Sequence, residues 1–424
     1  MTALQDIILA TRVRRTGSSR MPAVLLLIGA AFALALSIVQ GTRRATTINW
    51  TVSGKTASWE PPTLTFTTVT ADILGALVIA LALMLFWGKA LSTRVRRAMY
   101  ILAACLLVLS FLILAGAGQS VSLLAFANDS VGRSAPLVLA ALGGILCERA
   151  GVVNVAIEGQ LLLSAFVATI VGSSSGSPWL GVLVGTISAV VVGGILATLS
   201  IRFLADQLII GIVLDVAASG MTAFFVSGLF VTSPAINQTP IVPNWNFGPL
   251  SQLPLVGPLL FSTSPFTWIA IVLAAAIAYI LQFTRLGLHI SAVGENPRAA
   301  DAAGLNVARI RFLAVLAGAV VIGIGGAYFS VGSVGSFSPD MTGGRGFIAL
   351  AAVILGNWNP RGAIAAAFLF GTADAFQSLL SLLGIPVSSA LLLTLPYLVT
   401  IVALVMMRGR IHAPTADGIP YQRS

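Results

Sequence analysis

The chain has 424 residues, 57% of them hydrophobic and only 8% charged, and a formal net charge of +10. Soluble domains carry about a quarter charged residues, so this composition excludes a soluble globular protein and describes an integral membrane one. Apolar runs near the roughly 20 residues that cross a bilayer as a helix, without the residue-by-residue alternation of a barrel strand, support a helical bundle over a β-barrel. The only cysteines, Cys105 and Cys147, sit in or beside apolar runs, where they serve packing and not a disulfide or metal framework.

The N-terminal stretch MTALQDIILATRVRRTGSSR places four arginines before the first apolar run, 21–40. The pattern mimics a secretory signal, but the run is long and lacks a small-residue cleavage site, so an uncleaved first span is predicted. Further spans are predicted near 72–87, 98–118, 136–147, 157–172, 179–201, 208–231, 266–283, 312–331, 344–357, 362–382 and 386–406. The fold class is all-α: a polytopic transmembrane helical bundle with about 12 hydrophobic segments, some broken or re-entrant.

With both termini in the cytoplasm, most arginines, among them Arg94, Arg149, Arg202, Arg285, Arg309 and Arg311, fall in inside segments. The outside collects only Arg43, Arg44, Lys55, Arg133 and Arg345, as the positive-inside rule requires. Topology thus accounts for the basic charge, and no nucleic-acid partner is expected. Two long outside segments are predicted: 41–71, and 232–265, which is rich in proline, asparagine and serine and carries no charge. The second is either a surface for an extracytoplasmic partner or a structured cap.

Between two apolar runs lies GENPRAADAAGLNVARIR, residues 294–311. Asn296 before Pro297 reads as an N-cap and first helical residue, Gly304 as the stop, and Asn306 as the cap of the next helix. A two-turn helix over 297–303 is predicted, presenting Ala299, Ala300 and Ala303, with Glu295 and Asp301 in its first turns where the dipole favours them. The charges alone would suit a topology-setting connector. Cap, stop and small-residue face together describe a knob that docks into a partner's groove.

CERAGVVNVAIEGQ, 147–160, places Glu148, Arg149, Asn154 and Glu158 between two predicted spans, the first too short to cross. Ionisable groups at membrane depth face a partner, a cavity or the bundle interior. Asn154 and Glu158, four apart, would share a helix face near the path or in an interior network. A similar break occurs in GGRGFIALAAVILGNWNPRGAIAAAFLFGTADAFQ, 343–377, with Arg345, Asn357, Asn359, Arg361 and Asp374 around a short apolar run. Two short, interrupted segments in corresponding positions suggest an inverted repeat around a central path.

These stretches, 134–166, 294–307 and 343–364, resemble the membrane permease subunits of bacterial ABC importers in the ribose, nucleoside and branched-chain amino-acid branch. The simple-sugar and nucleoside type, with its similar "ERxGVVNxxxEG" stretch, is the nearest match. The resemblance covers about 131–406, leaving 1–130 as an N-terminal extension with two or three spans and 407–424 as a cytoplasmic tail. It implies that Gly294, Glu295, Asn296, Pro297, Ala300, Asp301, Ala303 and Gly304 form the loop that seats in a separate ATP-binding subunit. It also implies a second permease subunit, related or identical, and an extracytoplasmic substrate-binding protein, all assembled in the bacterial inner membrane. Asn154, Glu158, Asn357 and Asn359 are the expected polar groups of the translocation path, and Glu148, Arg149, Arg345, Arg361 and Asp374 those of a supporting network.

No cofactor or metal is expected, and the chain has no GxxxxGK[ST] phosphate loop, so ATP hydrolysis falls to a partner. Neither histidine, His289 or His412, lies in an HExxH motif, and an enzyme is not expected. The rival function is an ion-coupled carrier using Glu158, Asp215 and Asp374, although Asp215 also suits a satisfied interior hydrogen bond. A capped cytoplasmic knob favours the ABC reading, and the expected cargo is a nucleoside or simple sugar, with branched-chain amino acids as the alternative.

Overall fold

The computed structural model of the chain describes residues 21–40, 45–50, 62–87, 92–384, 388–406 and 412–422. The arginine-rich N-terminal stretch lies outside the described residues. Among the described residues, nine helices are long and apolar enough to cross a membrane, and three shorter apolar helices accompany them. The chain divides into two compact units. Of the described residues, the first comprises 21–40, 45–50, 62–87, 92–123 and 383–384, and the second the remainder.

In the first unit, helices α1 (Met21–Gln40), α2 (Thr68–Trp87) and α3 (Thr93–Ala115) pack together. The segment 41–71, expected outside the membrane, contributes two short strands. β1 (Ala45–Asn49) pairs antiparallel with β2 (Leu64–Thr67) and parallel with β3 (Ser120–Ser122). Threonine-rich alternation makes ATTIN and LTFT strand-forming, but such short runs carry little signal against a membrane composition. Buried Thr46 donates to the Ile113 carbonyl at 2.7 Å, and Ile48 joins Ala33, Leu36 and Ile113 in the unit's core.

The second unit contains α4 (Leu123–Arg149), α5 (Ile157–Ser175), α6 (Pro178–Ala197), α7 (Gln207–Phe225), α8 (Pro265–Phe283), α9 (Arg285–Glu295), α10 (Pro297–Ala302), α11 (Val307–Ala327), α12 (Arg345–Leu355), α13 (Pro360–Leu382), α14 (Ser389–Leu393) and α15 (Leu395–Met406). Three of them, α6, α7 and α11, continue into π-helical turns at 198–202, 226–230 and 328–334. The span predicted at 136–147 is corrected by the structure: α4 is one helix of 27 residues that runs through Pro136. Its first turns look loop-like in sequence because Asn128, Asp129 and Arg133 are polar. An Asp129–Arg133 ion pair one turn apart, and Ser130 and Ser134 hydroxyls bonded back to Phe126 and Ser130 carbonyls, keep them helical. The two segments that sequence pairs as short are therefore unequal, since only α12, 11 residues long, is short.

Two further departures follow from local chemistry. Residues 285–295, expected to belong to a connector, form α9, whose start is held by Thr284 accepting from the Gly287 N–H. The run predicted at 386–406 breaks at Thr394 between α14 and α15, where Pro396 has no N–H for the preceding turn.

The core is centred on α4, α5, α11, α12 and α13, with Leu142, Ile145, Leu161, Ile322, Ala352 and Phe370 fully or almost fully buried. Apolar surface cannot drive helices together within lipid, so close backbone approach and interhelical hydrogen bonds must. Gly143 and Gly318 meet across α4 and α11, where a Cβ on either would lie 2.5–2.6 Å from the other's carbonyl oxygen. Ser164 and Ser330 donate across helices to the Gly323 and Ala165 carbonyls at 2.7 and 2.8 Å. The 232–265 segment caps the end of α11: Asn237 exchanges two bonds with Phe337, and the Thr239 and Val242 N–H groups donate to the Gly335 and Val331 carbonyls.

Gly318→Val is expected to destabilise the protein by about 1–3 kcal/mol, the cost of overpacking a filled interface. Gly220→Val, at a site with nothing within 4 Å of a new Cβ, is expected to leave thermal unfolding in detergent almost unchanged.

Candidate translocation site and coupling loop

After α4 the chain turns through Gly151, at φ +83°, and α5 begins at Ile157. Asn154 therefore lies before the helix and does not share a helical face with Glu158, contrary to the expectation from their spacing. Glu158, in the first turn of α5, points at the start of α12. Its Oε1 accepts from Thr342 Oγ1 at 2.6 Å and the Gly344 N–H at 2.8 Å, and its Oε2 from the Gly346 N–H at 2.6 Å. The glycines of GGRG make this fit possible. Gly343 and Gly344 take positive φ, and a Cβ on Gly346 would lie 2.5 Å from the Glu158 backbone. A carboxylate against a helix N-terminus satisfies orphan N–H groups and is favoured by the helix dipole.

Between the caps of Glu158 lies Arg345, whose Nη2 reaches both oxygens of Asp374 at 2.9 Å. Arg133 joins the same carboxylate at 3.3 Å and bonds Asp129 and Ser378 at 2.8 and 2.9 Å. One buried carboxylate thus holds two guanidiniums, and Arg345 also lies 5.6 Å from the centre of the Phe329 ring. Two cavities meet this cluster. One of about 540 Å³ is lined by Asp129, Arg133, Tyr328, Ser333, Arg345 and Asp374. The other, about 290 Å³, touches Gly343, Arg345, Asp374, Gln377 and Tyr397, and the Tyr397 hydroxyl donates to the Gly343 carbonyl. Sequence reading placed Arg133 among outside charges and passed over Asp129. Their spacing of four in an otherwise apolar stretch was the available signal.

Of the remaining predicted residues, Glu148, Arg149, Asn357, Asn359 and Arg361 lie at the other end of α12. Glu148 is buried and accepts from the Trp358 indole N–H at 2.5 Å, while Arg149 donates to the Trp358 carbonyl at 2.8 Å. Asn154 is fully buried, its amide directed to Gln160 Oε1 at 3.2 Å. Asn357 takes φ +55° and accepts from the His412 N–H, Asn359 accepts from the Arg361 N–H at the start of α13, and the Arg361 side chain is exposed. Asp215 accepts from the Gly159 N–H at 2.7 Å, which is the interior bond expected for it. Cys147 is buried, whereas Cys105 lies exposed on α3.

At this same end, α10 has the predicted caps. Asn296 Oδ1 accepts from the Ala299 N–H at 3.0 Å, Pro297 is the first helical residue, Gly304 has φ +88°, and Asn306 caps α11 through the Arg309 N–H. The helix ends at Ala302, one residue earlier than predicted. Glu295, Arg298, Ala299, Ala302, Ala303 and Gly304 are exposed, while Gly294 and Ala300 are buried. A Cβ on Gly294 would lie 2.1 Å from the Arg149 carbonyl, so the loop rests directly on the end of α4.

Membrane-length helices, with a charged interior cluster beside two cavities and an exposed capped helix in a connecting loop, are the architecture of a multi-pass membrane protein. The family model described as "Branched-chain amino acid transport system / permease component" matches residues 126–407, and the chain belongs to that family. The chain is therefore an ABC transporter permease: a transport subunit, not an enzyme, that works within an ABC system. The chain is 36% identical to the nucleoside ABC transporter permease NupC of Lactococcus lactis, over 69% of this chain and 94% of the relative. It is 35% identical to the guanosine ABC transporter permease NupQ of Bacillus subtilis, over 68% and 93%, and 36% to a putative glucose ABC transporter permease, TsgC13, of Haloferax volcanii, over 59% and 76%. No solved structure matches the chain significantly.

Asp374→Ala would strand two partly buried guanidiniums, a change expected to cost about 3 kcal/mol. Asp129→Ala, whose side chain is 45% exposed, is expected to cost at most about 1 kcal/mol. Denaturation of the two purified variants in detergent compares them directly.

Proposed function

We propose that the chain is the membrane-spanning permease of a bacterial ATP-driven importer for nucleosides, with simple sugars as the neighbouring cargo class. The observation that carries this reading is α10: a capped helix with a small-residue exposed face, just after Gly294, which abuts the end of α4, in a chain aligned with nearly the full length of a nucleoside permease. Closure of two ATP-binding subunits around this helix would push the loop and tilt the bundle. The chain would sit in the inner membrane with 294–306 and both termini in the cytoplasm, paired with a related permease or a second copy of itself. An extracytoplasmic binding protein would deliver cargo to the opposite end, where 232–265 caps α11.

The path would run beside the Arg133–Asp374–Arg345 cluster and its cavities. Hydroxyl-rich neutral solutes suit such a surface, because fixed charges and a tyrosine offer many weak hydrogen bonds and no tight ionic trap. Glu158 would act there by holding Gly344 and Gly346, and with them Arg345. Asn154, Asn357 and Asn359 would support the path from the loop end of α12. Of the carboxylates in the ion-coupled alternative, Asp215 accepts one N–H through Oδ1 while its buried Oδ2 has no partner, whereas Glu158 and Asp374 are engaged by donors at both oxygens. A carboxylate so engaged does not readily cycle a proton.

Pull-down of the tagged protein from native membranes is expected to bring an ATP-binding subunit with it. Ala303→Arg is expected to cut that capture by at least ~10-fold, the scale of a lost interface hot spot, with thermal unfolding unchanged because the position is exposed. Uptake of radiolabelled guanosine should be competed by other nucleosides and not by leucine. Uptake that survives ATP depletion and collapses with an ionophore would refute the reading.

A further inference from the structure

The six-residue helix α10 raises a mechanical question. Helices this short have no stability of their own in water, and the apolar cluster beneath α10 contains only Val293, Ala300 and Val307 as buried members. A push on a loosely held loop would be absorbed by the loop. Residues 412–422, beyond the last helix, cross this region and fasten it at several points.

The strap begins at the α12–α13 junction, where the His412 N–H donates to Asn357 Oδ1 at 2.7 Å. The Thr415 N–H and hydroxyl then both donate to Glu295 Oε2, at 3.2 and 2.9 Å, and the Ala416 N–H donates to the Gly294 carbonyl at 2.9 Å. Ala416 is buried, and its carbonyl would lie 3.0 Å from a Cβ on Gly151. Arg311, at the start of α11, donates to the Ile419 carbonyl at 2.9 Å. Finally Tyr421 packs against the Val293–Ala300–Val307 cluster, and its hydroxyl donates to Asp301 Oδ2 at 3.1 Å. Between these points Asp417 is enclosed, and burial pushes its carboxyl up to about 7 despite nearby Arg311.

We propose that this C-terminal segment is a positioning element of energy coupling. It holds the loop on either side, the end of α9 through Thr415 on Glu295 and the last turn of α10 through Tyr421 on Asp301, and ties the loop to α11 and to the α12–α13 junction, so that ATPase motion reaches the bundle. The proposal rests on the reading of 294–306 as the ATPase-docking loop. The strap leaves Arg298, Ala299, Ala302 and Ala303 exposed. It therefore acts on transmission and not on docking, and cutting it should separate hydrolysis from transport.

The test uses the full complex of permease, ATPase and binding protein in proteoliposomes, with uptake and ATP hydrolysis measured together. Thr415→Val combined with Tyr421→Phe removes two side-chain hydroxyl bonds while keeping the packed ring. The uptake-to-hydrolysis ratio is expected to fall at least ~5-fold, the lower end of ordinary coupling energies, with ATPase capture unchanged. Thr415→Ser combined with native Tyr421 should restore the native ratio. Truncation after residue 411 should uncouple further, and the point variants decide the matter where that truncation fails to fold. An unchanged ratio in the double variant overturns the proposal, as does loss of ATPase capture, which would make the strap part of the docking surface. Absence of an ATPase from the native complex would instead refute the functional reading on which the proposal rests.

Discussion

The first N–H groups of a helix have no partner within the helix itself, and where they are buried they must find one elsewhere. In this protein that constraint is met by one side chain. At about 16 Å long, α12 covers only about half of a hydrocarbon core near 30 Å thick, and Glu158 closes its N-terminus with both carboxylate oxygens. Much of the second unit is arranged around this contact. Glycines at 343, 344 and 346 exist there in conformations or at distances that other residues would not tolerate, Arg345 is fixed between them, and Arg345 in turn orients Asp374 and Arg133 beside the cavities.

The opposite end of the same short helix meets the loop. The Trp358 indole and carbonyl engage Glu148 and Arg149 at the end of α4, and the loop glycine Gly294 lies against the Arg149 backbone. Between exposed α10 and the charged cluster there is thus a continuous path of packed and hydrogen-bonded parts: loop, end of α4, Trp358, α12, Arg345. Under the proposed function this contiguity would carry the stroke of the ATP-binding subunits, and the C-terminal strap would brace it at the loop end.

Sequence made some of this legible and hid the rest for physical reasons. The caps of α10 and α11 could be read directly, because Asn296, Pro297, Gly304 and Asn306 act on residues within a few positions of themselves. Glu158 was recognisable as an unusual charge, but its purpose was not, since its partners lie 184 to 188 residues away. The strap was invisible for the same reason, Thr415 and Tyr421 each bonding a residue 120 positions earlier. The length of α4 was concealed because Asp129 and Arg133, which read as loop residues, pair with each other and with Asp374 inside the bundle. Spacing also misplaced Asn154, because Gly151 turns the chain before α5 begins.

If 294–306 couples the bundle to ATP, nucleotide on the partner subunits changes access to the cavity beside Arg345 and Asp374. Ser333, exposed on that cavity's wall, offers a direct reporter when replaced by cysteine in a chain whose exposed Cys105 has been changed to serine. The measurement is the rate of maleimide labelling at this position in the reconstituted complex, without nucleotide and with ATP trapped on the partner subunits. A severalfold difference between the two states is the expected result. Equal labelling rates, in a preparation whose ATPase is active and whose uptake is intact, would contradict the account.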